Sequence, residues 1–222
     1  MSVVPVTLLV IARAPVPGLA KTRLAAAVGD RIAAEIAAAA LLDTLDAVAA
    51  APVPARVVAL CGELDDAVDA AEIRDRLASF AVIPQRGNDF ANRLANAHAD
   101  AAAVDGCPVL QIGMDTPQVT SELLADCARR LVDAPAVLGL ARDGGWWALG
   151  VRTPTLAECL RDVPMSQPNT GSMTLKAVRS NGISVSLLEE LTDFDFVEDV
   201  ATVREDCPPG SRFARAARTA GL

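Results

Sequence analysis

Tyrosine is absent from the 222-residue chain, histidine occurs once, lysine twice, and aromatic residues make up 3%. Each scarcity excludes something. A Ser-His-Asp triad would have to use His98, the sole histidine, which sits in an Ala-rich helical stretch and reads as a surface or core residue. The five cysteines (Cys61, Cys107, Cys127, Cys159, Cys207) are odd in number and form no CxxC pair, so neither a zinc site nor a disulfide framework has a pattern to rest on. They read as reduced thiols. No apolar run approaches the ~20 residues that span a bilayer. Residues 3–12 are apolar, but Pro5 interrupts them, Arg13 follows and no basic segment precedes them. They read as the buried first strand of a cytoplasmic protein, with no transmembrane segment.

What is abundant is alanine, at 43 positions, and arginine, at 18, in a chain that is 52% hydrophobic and carries a formal charge of −8. That much apolar residue at 22% charge excludes disorder. An acidic chain with scattered arginines gives no footprint for nucleic acid, although a local basic pocket remains compatible with it. The length suits one domain over 1–222, against a prior of about 100–200 residues per domain.

Short apolar runs alternate with longer Ala-rich helical ones. Strands are expected at 6–12, 56–60, 80–83, 108–112, 136–140, 146–151 and 183–187. Helices are expected at 30–50, 65–77, 88–103, 121–132 (Thr120 as N-cap), 172–180 and 197–204. Residues 164–169 read as a mobile flap, and the segment after Cys207-Pro208-Pro209-Gly210 as a basic tail with Arg212, Arg215 and Arg218. Strand-helix alternation implies an α/β fold: a mostly parallel central sheet with helices on both faces. Such sheets bind ligands beyond the carboxyl ends of their strands.

Five segments at such ends could carry chemistry. The loop after the first strand holds Arg13, Pro15, Gly18, Lys21 and Arg23: stiff, open to close approach and cationic, as a diphosphate requires, yet neither a Walker A loop nor GxGxxG. A solvated turn explains this loop equally well. Asp115, in Gly113-Met114-Asp115-Thr116-Pro117, follows a buried strand and suits a divalent cation, or else opens a turn. In Asp193-Phe194-Asp195-Phe196-Val197-Glu198-Asp199, an extended backbone would put Asp193 and Asp195 on one face, which could supply a second metal ligand, while helix capping accounts for some of the acids. Asp143-Gly144-Gly145-Trp146-Trp147 offers close backbone approach and an aromatic wall, or a hairpin turn over a tryptophan core. In the segment 85–93, Gln85 could read a base edge and Asp89 could meet the ligand, though capping by Asn88 or Asp89 is an adequate explanation.

In this order the segments resemble the bacterial GT-A-type nucleotide-diphospho-sugar transferases of the arsenosugar-biosynthesis and radical-SAM/selenodomain-associated type, with 2-phospho-L-lactate guanylyltransferase a more distant cousin. The family's A-[KR]-x-P-x-x-G-x-x-K-T-R-L is met by Ala12, Arg13, Pro15, Gly18, Lys21, Thr22, Arg23 and Leu24. Its G-x-D-x-P is met by Gly113, Asp115 and Pro117, its D-G-G-[YW] by Asp143 to Trp146, and its D-x-D-x-x-E-D by Asp193, Asp195, Glu198 and Asp199. The chain departs at Met114 and Thr116, at Met165-Ser166-Gln167-Pro168-Asn169 in the flap, and at Phe196-Val197.

The resemblance implies a Rossmann-like GT-A three-layer α/β/α sandwich. It implies transfer of a sugar from a nucleoside-diphosphate donor to a small-molecule acceptor. Arg13, Pro15, Gly18, Lys21 and Arg23 would wrap the nucleotide, with Lys21 also stabilising the departing diphosphate. Asp115 and Asp195 would share Mg²⁺ or Mn²⁺. Gly144, Gly145 and Trp146 would lie near the transferred group or the acceptor. Transfer to an acceptor also needs a base, for which Asp143 is the candidate. A nucleotidyltransferase acting on a small phosphorylated acceptor, and an inactive nucleotide-binding domain, are the alternatives. A homodimer is an open alternative to a monomer.

Overall fold

The structure is a computed structural model that describes residues 2–106 and 108–222. Seven strands form one sheet: β1 (Thr7–Arg13), β2 (Ala55–Cys61), β3 (Ala81–Pro84), β4 (Val109–Gly113), β5 (Ala136–Leu140), β6 (Trp146–Val151) and β7 (Val185–Leu187). The spatial order is β3-β2-β1-β4-β6-β5-β7. β6 runs antiparallel to both its neighbours, and all other pairings are parallel. From β1 the chain winds outward through β2 and β3, then returns to place β4 on the other side of β1. The strand order therefore reverses between β1 and β4, and sheets of this kind bind ligands beyond the carboxyl ends of the strands at such a reversal.

The alternation of side chains across each strand feeds two cores. Leu8, Val10 and Ala12 of β1 join Val58, Leu110 and Ile112 on one face. That face is covered by α2 (Asp30–Ala50), α3 (Ala70–Leu77) and α5 (Ser121–Asp133). Leu9 and Ile11 join Val57, Ala59 and Leu149 on the other. It packs against α4 (Phe90–Asp105), a 3-10 helix (Pro154–Asp162) and α6 (Thr170–Ser180). Thr120 caps α5 as expected, its hydroxyl accepting from the Leu123 N–H at 3.2 Å. Among the described residues no helix is long and apolar enough to cross a membrane.

The alanine surplus has a structural use in α2. Ala34, Ala37, Ala38, Leu41 and Leu45 pack beneath the sheet. Ala33, Ile36 and Ala40 face outward into a third cluster with Phe194, Val200, Val203 and Phe213. Small side chains let one helix lie close to layers on both sides. That outer layer consists of α1 (Thr22–Val28), α7 (Val197–Asp206) and α8 (Arg212–Thr219).

Three departures from the sequence reading have physical causes. The helix expected over 65–77 starts only at Ala70, because Asp69 adopts a left-handed conformation (φ 53) that interrupts it. The basic tail is helix α8. Its first N–H groups, from Arg212 and Phe213, are accepted by the Asp43 carboxylate at 3.0 and 2.8 Å, and the Arg212 guanidinium pairs with Asp46 and Glu72. The flap packs down instead of standing free: the Gly171 N–H donates to the Gly144 carbonyl at 2.8 Å, and Thr170 Oγ1 accepts from the Gln167 N–H at 3.0 Å. Of the cysteines, Cys61, Cys127, Cys159 and Cys207 are free thiols, and Cys107 lies outside the described residues. His98 is buried in α4, and burial pushes its pKa down to about 3, which leaves the ring neutral.

Candidate active site

The loop leaving β1 is built to hold its shape. The Arg13 N–H donates to Met114 Sδ at 3.2 Å, tying the end of β1 to the loop after β4. The Pro15 carbonyl accepts from the Val68 N–H at 3.0 Å, and Leu19 and Ala20 fold back onto the Val16 carbonyl. Gly18 takes φ +80, a value that other residues rarely adopt. Lys21 then enters α1 in the left-handed conformation (φ 48, ψ 49). For a residue with a Cβ this costs on the order of 1–2 kcal/mol. The surroundings fix it there.

Lys21 Nζ stands 3.1 Å from Asp115 Oδ2 and 2.8 Å from Asp195 Oδ1, with its side chain only 8% exposed. It also lies 4.2 Å above the centre of the Phe194 ring, a cation–π contact. Arg23 Nη1 takes the remaining oxygen of the second acid, Asp195 Oδ2, at 2.8 Å. Two carboxylates and two cations from the ends of the chain and its middle thus meet in the loops that follow β1 and β4. Burial alone would lower the Lys21 pKa, but Asp115 and then Asp195 outweigh it and hold the ammonium above the ordinary lysine value. Burial would raise Asp195, yet Lys21 and Arg23 bring it below the usual carboxylate range.

The acid-bearing loop before α7 is held by two groups. Asp199 Oδ2 accepts from the N–H groups of Phe196 (2.9 Å) and Asp195 (3.2 Å), the reach-back half of a capping box. Gln118, buried, donates to the Thr192 carbonyl at 2.6 Å and so links the loop after β4 to the loop carrying Asp193 and Asp195. Gln118 has no place among the residues expected from the sequence, whereas Asp193 enters there only as the face-mate of Asp195 in the acidic motif. An amide in a short turn after Pro117 carries no pattern that would reveal a partner 74 positions away.

The extended alternation expected for 193–196 holds only in part. Phe194 is fully buried against Phe213, with ring centroids 4.7 Å apart, whereas Phe196 is 51% exposed. The chain bends after Asp195 into the cap of α7, so the two rings point to different environments. Asp193 nonetheless belongs to the cluster. Burial, then the charge of Asp143, push its pKa up to about 7 against the partial relief from Lys21. Replacing it should therefore be pH-dependent. The folded wild-type protein holds a proton on Asp193 that the unfolded chain releases near the ordinary carboxylate pKa of about 4. Wild-type stability thus declines as pH rises from about 4 to about 7. Asp193→Asn is expected to be more stable than wild type at pH 8 by on the order of 1–2 kcal/mol, after allowance for partial exposure, and to match it at pH 4.5. Urea unfolding at both pH values in a chelator checks this. An equal effect at both pH values would remove the charge explanation.

The remaining expected site residues divide by their present partners. Arg13 is exposed, and its guanidinium meets no carboxylate among the described residues. Gln85 Nε2 donates to the carbonyls of Ala12 and Ala59, both at 2.9 Å, so its amide nitrogen joins β1 to β2 rather than facing a ligand. Asp89 caps α4, accepting from the N–H and the side chain of Asn92 at 2.8 Å each. Asp143 Oδ1 accepts from the Gly145 N–H at 2.7 Å within the β5–β6 turn. Gly144 is required by the flap: a Cβ there would come 1.7 Å from the Pro168 carbonyl oxygen. The close approach expected of a ligand is made by the chain itself. Trp147 is buried and donates to the Glu189 carbonyl at 2.9 Å, while Trp146 is half-buried over the second core. Among the described residues no group of three or more His, Cys, Asp or Glu side chains forms a ready metal cluster.

Comparison with known proteins places the chain. The model of DUF2064, described as "Uncharacterized protein conserved in bacteria", matches residues 44–167. The chain belongs to this family. The matched span contains Asp115 and Asp143, while Lys21, Arg23, Asp193 and Asp195 flank it. No curated protein matches the chain. Among solved structures, a "putative nucleotide-diphospho-sugar transferase" from Desulfovibrio desulfuricans G20 is 22% identical, with a TM-score of 0.80 over 99% of each chain. Rv0371c from Mycobacterium tuberculosis H37Rv, solved as a complex with manganese, is 19% identical, with a TM-score of 0.55 over 90% of this DUF2064 chain and 97% of its own. A cytidylyltransferase from Leptospira borgpetersenii serovar Hardjo-bovis (strain JB197) is 15% identical, with a TM-score of 0.58 over 97% and 93%. These likenesses establish the fold of this DUF2064 chain as the Rossmann-like α/β type, with its mostly parallel sheet between helices.

Proposed function

We propose that this DUF2064 protein, acting as one domain over 1–222, is a divalent-metal-dependent transferase. It would move a sugar from a nucleoside-diphosphate donor to a small-molecule acceptor. The observation that carries the reading is the meeting of Asp115, Asp195, Lys21 and Arg23 beside the reversal of strand order, with Arg13, exposed at the end of β1, paired with no carboxylate among the described residues. The full-length likeness to the Desulfovibrio protein supports it.

The carboxylate pair fits Mg²⁺ or Mn²⁺. It already holds one cation, the Lys21 ammonium, and Mg²⁺ takes only one or two protein carboxylates, completing its shell with water and phosphate oxygens. When bound, the metal would neutralise charge on the donor's diphosphate. Arg13 would bind the diphosphate from the end of β1, and Lys21 and Arg23 would offset charge growing on it as it departs. Asp143 was the base expected from the sequence. Asp193, whose pKa of about 7 lies near working pH, is the stronger candidate to take the acceptor hydroxyl's proton, with burial and then Asp143 keeping that pKa high. Gly144, Gly145 and Trp146 would border the acceptor side.

The test is calorimetry of UDP, GDP, UDP-glucose and GDP-mannose with and without Mn²⁺. Binding that needs the metal and is lost in Asp115→Ala is the expected result; metal-independent binding would overturn it. The likeness to a cytidylyltransferase favours nucleotidyl transfer as a second reading. Pyrophosphate release from CTP or GTP with small phosphorylated acceptors, and no hydrolysis of nucleotide sugars, would select it.

A further inference from the structure

The position a divalent ion would need between Asp115 and Asp195 is held by the protein's own ammonium group. Lys21 Nζ contacts one oxygen of each acid at 3.1 and 2.8 Å, and Arg23 occupies the other oxygen of Asp195. Mg²⁺ bound to the same oxygens would lie about 2.0–2.1 Å from them. It would therefore overlap or closely abut the ammonium, and like charges at such separations repel strongly in a partly buried site. Lys21 and the metal exclude one another. The ammonium is also well seated, being 8% exposed and 4.2 Å over the Phe194 ring.

We infer that Lys21 is a resident cation that keeps the carboxylate pair closed to free divalent metal and is displaced when metal and a nucleoside diphosphate enter together. The diphosphate supplies what the displaced ammonium needs: a new anion within reach of a long, flexible stem. Exchanging a carboxylate partner for a phosphate partner keeps the lysine charge neutralised throughout. Metal and nucleotide binding are then coupled, and the coupling is reciprocal. This rests on the proposal that Asp115 and Asp195 hold the metal.

Two measurements test it. The first is Mn²⁺ alone, titrated into wild type and Lys21→Met, which keeps the apolar stem and removes the charge. Lys21→Met is expected to bind Mn²⁺ at least about 10-fold more tightly, a change of about 1.4 kcal/mol. Equal or weaker binding, in a variant whose circular dichroism matches wild type, overturns the inference. The second needs no substitution and so survives a variant that fails to fold. With only two lysines in the chain, Lys21 and Lys176, ε-¹³C-lysine labelling gives two signals. The Lys21 signal, shifted by the Phe194 ring, should stay in place with Mg²⁺ alone. It should move when Mg²⁺ and UDP or GDP are added together, while Lys176 does not change. A Lys21 signal unmoved by bound Mg²⁺–nucleotide overturns the inference while leaving the metal site standing. Nucleotide binding that ignores the metal and survives Asp115→Ala overturns both.

Discussion

Asp195→Ala is expected to abolish Mn²⁺-dependent binding of a nucleoside-diphosphate sugar and to lower transfer by about 10²–10³-fold, the scale on which removal of one preorganised electrostatic group acts. Both Asp195 oxygens are engaged, one by Lys21 and one by Arg23, so the substitution also takes one partner from each of two cations. Lys21 would retain Asp115 as its partner, whereas Arg23, already 53% exposed, would turn to solvent. The stability loss should therefore be modest, about 1–3 kcal/mol, below that of a fully buried pair. Asp195→Asn separates the two effects: it keeps the shape and a hydrogen-bond acceptor for Lys21 but offers the metal a neutral ligand. It should recover most of the stability and little of the binding. Unchanged metal-dependent donor binding in Asp195→Ala would refute the role assigned to this carboxylate.

Phe194→Ala is expected to lower stability by about 3–5 kcal/mol, the usual range for deleting a buried aromatic side chain. The ring is fully buried, packs against Phe213 and shares a cluster with Leu24, Ile36, Val200 and Val203. At this chain length each kcal/mol shifts Tm by about 2–4 °C, so a fall of roughly 10 °C should be seen. Phe194→Leu should restore part of the loss by refilling the space. The same ring seats Lys21, so Phe194→Ala should also weaken the lysine's hold on the carboxylate pair. A small thermal shift in Phe194→Ala would show that the outer layer of α1, α7 and α8 adds little to the fold.

Much of the framework was readable because it rests on periodicity. The expected helix at 30–50 and strands at 136–140 and 146–151 coincide with α2, β5 and β6. Lys21, Arg23, Asp115 and Asp195, named from motifs far apart in the sequence, meet in ion pairs, and Arg13 ends β1. What stayed illegible depends on contacts between distant parts of the chain. Helix α8 follows two prolines and a glycine, and its opening N–H groups are satisfied by Asp43, about 170 positions earlier. The 3-10 helix Pro154–Asp162 does carry apolar residues at helical spacing, Leu156, Ala157, Cys159 and Leu160, but it is only nine residues long, too short a stretch for periodicity alone to mark it. The glycines of the β5–β6 turn suggested a ligand, but the steric demand comes from Pro168 in the flap. Gln85 and Asp89 are polar in a loop near the expected crevice, yet strand tethering and helix capping already occupy them. Composition and spacing do not record which partner a polar group finally meets.

The single reversed strand also bears on how the chain assembles. Among the described residues β5–β6 is the one pairing closed by a turn alone; β1–β2, β2–β3, β1–β4, β4–β6 and β5–β7 all close over at least one helix. Hairpins form in about 1–10 μs, whereas pairings such as Thr7 with Val109 must first overcome the entropy of a long loop. Loop-closure entropy therefore favours the hairpin as an early local nucleus. The turn bearing Asp143 would be in shape before β1 and β4 meet, and the lysine and the two acids would come together only when the slowest, most distant contacts close.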